Sequence, residues 1–175
     1  MTGLLVKSET LNANDKKFLC RLEQLDLEPI VFKLVEDPDS GVPWELVQAD
    51  RTAIAYKRYL FLYYKYGKGV NGKNVAPDKP TDWFWHQHQL DSEKYREDCE
   101  FLFATLPQKV LAKFLRRVFG PLGLTISAGF VEHFPYFGMR GEQDAQNLEN
   151  AFQDSLNLLG CHFEEEAVLE VTSSV

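Results

Sequence analysis

The sequence predicts a mainly α fold, a compact single-domain helical array with irregular aromatic-rich loops. Three observations point there. Apolar residues recur at three- and four-residue intervals along most of the chain. No stretch alternates as a half-buried strand would. The 175 residues, 45% hydrophobic and 13% aromatic, suffice for one full core and for one domain. The expected division is a helical domain over residues 1–160 and an acidic C-terminal tail over 161–175.

Asn14 or Asp15 is placed to cap a first helix in which Phe18, Leu19, Leu22 and Leu25 share a face. Pro29 interrupts it, and Ile30–Val35 is too short to assign. Pro43 suits the first turn of the next helix. Within Thr52–Tyr66, Arg51, Arg58 and Lys65 recur every seven residues and leave an apolar face of Ile54, Tyr56, Leu60, Phe61, Tyr63 and Tyr64. Length and charge spacing favour a buried helix over an aromatic strand. Gly67–Pro80 reads as loop. Thr81 or Asp82 can cap a short helix, and Asp91, with Glu93 behind it, can cap another that places Tyr95, Cys99, Leu102 and Phe103 on one face. Pro107 opens a helix with Val110, Leu111, Phe114, Leu115 and Val118 inward. Leu124–Phe130 suits a short extended piece. Residues 142–159 form the last amphipathic helix, with Gly160 as its stop.

Charge excludes several function classes. There are 26 acidic and 19 basic residues, a net charge of −7. Binding of nucleic acid by bulk charge is therefore not expected. No apolar run approaches the ~20 residues of a membrane span. The first ten residues lack the basic and apolar stretches of a secretory leader. Cys20, Cys99 and Cys161 are too few and too scattered for a disulfide framework. A cytoplasmic protein with reduced thiols is the expectation. Residues 141–175 hold eight acidic side chains and no Lys or Arg, so the net negative charge is concentrated there.

Two motifs are weaker than they look. Gly67-Lys-Gly-Val-Asn-Gly-Lys-Asn74 matches G-x-G-x-x-G and G-x-x-x-x-G-K. Phosphate binding by either needs a strand before and a helix after. Here a helix precedes, Pro77 and Pro80 follow, and Asn74 stands where a Ser or Thr would ligate magnesium. Lys109, Lys113, Arg116 and Arg117 share one helix face. That stripe suits either a solvated surface or a site for an anion or partner, the acidic tail of this chain included.

The histidines localise the chemistry. They occur in Trp83-Phe-Trp-His-Gln-His-Gln-Leu90 and in His133-Phe-Pro-Tyr-Phe-Gly138, with His162 beside Cys161. Histidine and cysteine suit zinc or another divalent transition metal. If Asp82–Leu90 is helical, His86 and His88 point about 200° apart and cannot clip one ion between them. Asp82 then lies one turn before His86 and can orient its ring. The candidate pocket comprises Asp82, Trp85, His86, His88, Tyr95, Cys99, His133 and Tyr136, and the candidate metal ligands are His86, His88, Cys99 and His133. The competing reading is a hydrogen-bonded aromatic core in which Cys99 is a small buried hydrophobe. A Cys99–His catalytic dyad is disfavoured by a mid-helix, apolar position.

Trp85-His-Gln-His-Gln-Leu90, Tyr95-Arg-Glu-Asp-Cys99 and His133-Phe-Pro-Tyr-Phe-Gly138 resemble the glycine-rich domain-containing protein-like family, as does the upstream Tyr56-Lys-Arg-Tyr-Leu60. The resemblance runs from about residue 43 to residue 158. It implies a domain without an assigned reaction or cofactor. Two functions follow as expectations: a binding or interaction module with a His/aromatic pocket, for a protein or a small anionic ligand, or a metal-binding protein or enzyme.

Overall fold

The computed structural model describes residues 4–36, 43–67, 74–103, 131, 133 and 136–164. Within them the chain is mainly helical and packs around one core. The helices are α1 (Ala13–Glu23), α2 (Glu28–Glu36), α3 (Leu46–Tyr66), α4 (Lys79–Leu90), α5 (Ser92–Phe103) and α6 (Glu142–His162). The expected helix after Pro107, the basic stripe, the extended piece before Val131, the interior of the glycine loop and most of the acidic tail lie outside the described residues.

The helix starts differ from those the sequence suggests, for local reasons. The cap of α1 is Asn12, two or three residues earlier than expected. Its side chain accepts from the Asn14 and Asp15 amides, while Asp15 accepts from the Asn12 amide, a reciprocal capping box. The first helix does end before Pro29, at Glu23, and Pro29 belongs to the start of the next one. It sits in the first turn of α2, where a missing N–H costs nothing, and Ile30–Val35 is helical. Pro43 precedes α3 rather than opening it. Asp78, not Thr81 or Asp82, caps α4 by accepting from the Thr81 amide at 2.9 Å, with Pro80 in the first turn. Asp91 accepts from the Lys94 amide at the start of α5, as expected.

The central element is α3, which packs against α1, α2, α4 and α6. Arg58, Tyr59, Leu60, Phe61 and Leu62 are consecutive and all buried, so this stretch of α3 is enclosed on every side. Of the heptad of charges, Arg51 is exposed, but Arg58 and Lys65 turn into the fold. Arg58 is 1% exposed and its guanidinium lies 5.9 Å from the Phe163 ring centre. Lys65 turns onto Asp15 of α1 at 2.8 Å. On α4, Thr81, Phe84, Trp85 and His88 are buried at i, i+3, i+4 and i+7, the signature of a core-facing helical stripe.

The last helix does not stop at Gly160. It continues to His162, and Phe163 is fully buried and forms an isolated antiparallel bridge with Val6. The Lys7 amide donates to the His162 carbonyl, and the Glu164 amide to the Leu5 carbonyl, both at 2.8 Å. Tertiary packing overrides the glycine signal, and residues 161–164 belong to the folded body rather than to a tail. His162 sits under this clasp, edge-on to Phe61 and bonded through Nε2 to the Tyr66 hydroxyl at 2.7 Å.

Burial lowers the His162 pKa below its ordinary value of 6.5. The neighbouring Lys65 lowers it further, and Asp15 partly offsets both. The unfolded chain then binds the proton more readily than the folded one. The His162 contribution is complete above about pH 6.5 and is lost as the pH falls below it. Thermal midpoints measured across this range should fall on acidification, and His162→Gln should flatten that part of the profile. An unchanged slope in the variant would contradict the assignment.

Candidate functional site

The buried stripe of α4 decides which histidine goes where. His88 lies on it and is 2% exposed, whereas His86 lies on the opposite flank with a side chain 36% exposed. The two rings diverge, as helical geometry requires, so the expected four-ligand set is not assembled.

His88 belongs to an inward network. The Tyr56 hydroxyl meets its Nδ1 and the Asp98 carboxylate its Nε2, both at 3.0 Å. A carboxylate only accepts, so Nε2 carries a proton, and in the neutral ring Nδ1 accepts from Tyr56. Burial alone would raise the Asp98 pKa, but hydrogen bonds from His88 and Lys94 outweigh it and hold the group below its ordinary value. Burial pushes the Tyr56 phenol well above its ordinary range, so it remains a donor. Both His88 nitrogens are committed, which leaves none for a metal.

Cys99 is also excluded as a ligand by its surroundings. It is 4% exposed beside Tyr95. Burial raises its pKa, and hydrogen bonding from the Val131 backbone and Tyr95 offsets this only in part. It is a packed thiol, in line with the core reading. Trp85 and Tyr95 are buried beside it, as expected, and the Trp85 indole donates to the Tyr95 hydroxyl at 2.9 Å. The same hydroxyl donates to the Val131 carbonyl at 2.6 Å. Phe134, of the His133–Gly138 motif, lies outside the described residues. Tyr136 is 62% exposed and stands outside the buried cluster.

The Val131 anchor delivers His133 to α4. Its ring sits edge-on to Trp85 at 4.5 Å and to His86 at 4.3 Å. Its Nε2 donates to Asp82 Oδ1 at 3.0 Å. Asp82 therefore turns its carboxylate mainly to His133, with His86 Nδ1 at 3.5 Å from the other oxygen. What orients His86 is the Asp82 backbone carbonyl, 2.8 Å from Nδ1. A carbonyl accepts only, so Nδ1 holds the proton and Nε2 of the neutral ring presents a lone pair.

Asp82, His86 and His133 thus form a cluster in which one ligand atom from each lies within 4.8 Å of the others. Asp82 is the member the ligand reading missed. Its i, i+4 spacing to His86 was the available signal, since those positions share a helix face.

Tyr95→Phe tests this anchoring. It leaves the buried Trp85 N–H and Val131 carbonyl without the hydroxyl, at about 1–3 kcal/mol for each buried group left unsatisfied. Urea unfolding should show a larger loss for Tyr95→Phe than for His86→Ala at its half-exposed position. The reverse order would refute the anchoring role.

The chain matches no family model, no curated protein and no solved structure.

Proposed function

We propose that this domain binds a divalent transition metal, zinc being the best match, through Asp82, His86 and His133. The supporting observation is the convergence of these three ligand atoms within 4.8 Å. Two imidazoles and a carboxylate suit zinc and its borderline neighbours. Asp82, His86 and His133 would hold the cation, and the proton that His133 now shares with Asp82 would be displaced on binding. Three protein donors leave a position for water or a partner's donor, as in catalytic rather than structural zinc sites. Held by these residues, zinc would supply Lewis-acid chemistry to a bound water or a substrate oxygen. The Asp82 backbone carbonyl fixes the orientation of the His86 ring, and Trp85 backs the His133 ring.

Membership of the glycine-rich domain-containing protein-like family is proposed on the sequence motifs alone. Trp85, His86, His88, Tyr95, Asp98, Cys99 and His133, which carry the resemblance, are the residues that build this site and the network behind it. Among the described residues no helix is long and apolar enough to cross a membrane, and a cytoplasmic setting is part of the proposal.

A second reading, a protein-interaction module working without metal, is favoured by one observation. Trp83, 41% exposed and 6.2 Å from the His86 ring, and Leu90, 68% exposed, offer aromatic and apolar contact surface on α4.

Calorimetric titration of the purified protein with zinc and with cobalt separates the readings. A single ion should bind. Asp82→Ala and His133→Ala should each lose more than the roughly 10–100-fold that removal of an orienting neighbour costs. Cys99→Ala should bind normally. Equal binding by wild type and His133→Ala, or no binding by wild type, would overturn the metal reading.

A further inference from the structure

The two tryptophans of α4 divide as its two histidines do. Trp85 lies on the buried stripe, and its indole donates to the Tyr95 hydroxyl. Trp83 lies three residues before His86, a spacing that puts both side chains on one side of the helix, here the outward one. Trp83 is 41% exposed, and its ring centre lies 6.2 Å from that of His86. Among the described residues its indole N–H has no acceptor. An indole with an open face and an open N–H thus flanks His86, a member of the Asp82–His86–His133 cluster.

Two features of this corner point to one ligand class. The first is the donor set. Three protein donors leave a coordination position on the metal, and zinc takes carboxylate oxygens. One carboxylate and two neutral imidazoles bring a single negative charge to a divalent ion, so an anionic fourth donor suits that set. The second is Trp83. Its exposed ring is a large, flat apolar surface, and a ligand ring packed on it removes both faces from water. An aliphatic carboxylate makes only the contact with the metal. A neutral aromatic makes only the contact with the indole. An aromatic carboxylate makes both.

We propose that the open position of the Asp82–His86–His133 site takes a small aromatic carboxylate, with its oxygen on the metal and its ring on Trp83. This rests on the metal reading above and adds to it the class of ligand.

The test uses the full-length protein loaded with cobalt, whose visible spectrum reports ligand exchange at the metal. The probes are phenylacetate, acetate and phenylacetamide at millimolar concentrations. Phenylacetate should change the spectrum and bind about tenfold more tightly than acetate, the scale expected for a stacked and buried ring. Phenylacetamide should bind more weakly than phenylacetate. Trp83→Ala, a change at an exposed position, should bind phenylacetate no better than acetate and keep its affinity for cobalt and zinc. Trp83→Phe should retain most of the preference for phenylacetate. Equal binding of phenylacetate and acetate by the wild type, or a preference that survives in Trp83→Ala, would overturn this inference and leave the metal reading standing. Loss of cobalt binding in Trp83→Ala would make Trp83 a support of the metal site and overturn it also. A wild-type protein that takes up neither cobalt nor zinc would overturn the metal reading, and this inference with it.

Discussion

The arrangement at the site depends on one phenol, the Tyr95 hydroxyl. It accepts from the Trp85 indole on α4 and donates to the Val131 carbonyl, and both bonds are buried. Three separate parts of the chain are fixed by that single oxygen. Two residues of extended chain reach at most about 7 Å. Tying Val131 to Tyr95 therefore confines where His133 can go. The confinement brings its ring into the angle between Trp85 and His86, with Asp82 in reach. Burial raises the Tyr95 pKa far beyond neutrality, so the hydroxyl keeps its proton and its donor role throughout the physiological range.

Around that node the molecule separates two kinds of polar cluster. Tyr56, His88, Asp98 and Lys94 form a chain in which each imidazole nitrogen has its partner. Such a network helps specify one packing of α3, α4 and α5, and removal of any buried member exposes the rest to an unsatisfied neighbour. Asp82, His86 and His133 differ in exposure rather than in residue type. Their side chains are 37%, 36% and 9% exposed. The first cluster is closed to a ligand, and the second is open on one side. Two histidines only two residues apart therefore have opposite surroundings, because α4 turns one inward and the other outward.

Much of the fold was legible in the sequence, because it rests on local rules. The 3.6-residue periodicity marks α1, α3, α5 and α6, and Asp91 announces α5. Helical geometry alone divides His86 from His88. The errors have tertiary causes. Arg58 reads as a surface charge until Phe163 and the full enclosure of mid-α3 are known. Gly160 reads as a stop until the Val6–Phe163 bridge draws the chain on. Cys99 and His88 have the residue types of ligands, yet their partners come from α3, α5 and Val131, which no spacing in the sequence joins. Asp82 was visible as a partner of His86 but not as the partner of His133, fifty-one residues away. The capping box at Asn12 and the Asp78 cap before Pro80 were local signals overlooked, since Asn-x-x-Asp and Asp-x-Pro are themselves helix-start patterns.

The central claim is that α4 and the Val131 anchor present two imidazoles and a carboxylate, and no thiolate, to one point. X-ray absorption at the zinc edge of the zinc-loaded protein reads that first shell directly. The account predicts nitrogen and oxygen neighbours only, at about 2.0–2.2 Å, with the multiple-scattering signature of two imidazoles. A sulfur neighbour at about 2.3 Å would place Cys99 or another cysteine on the metal and contradict it.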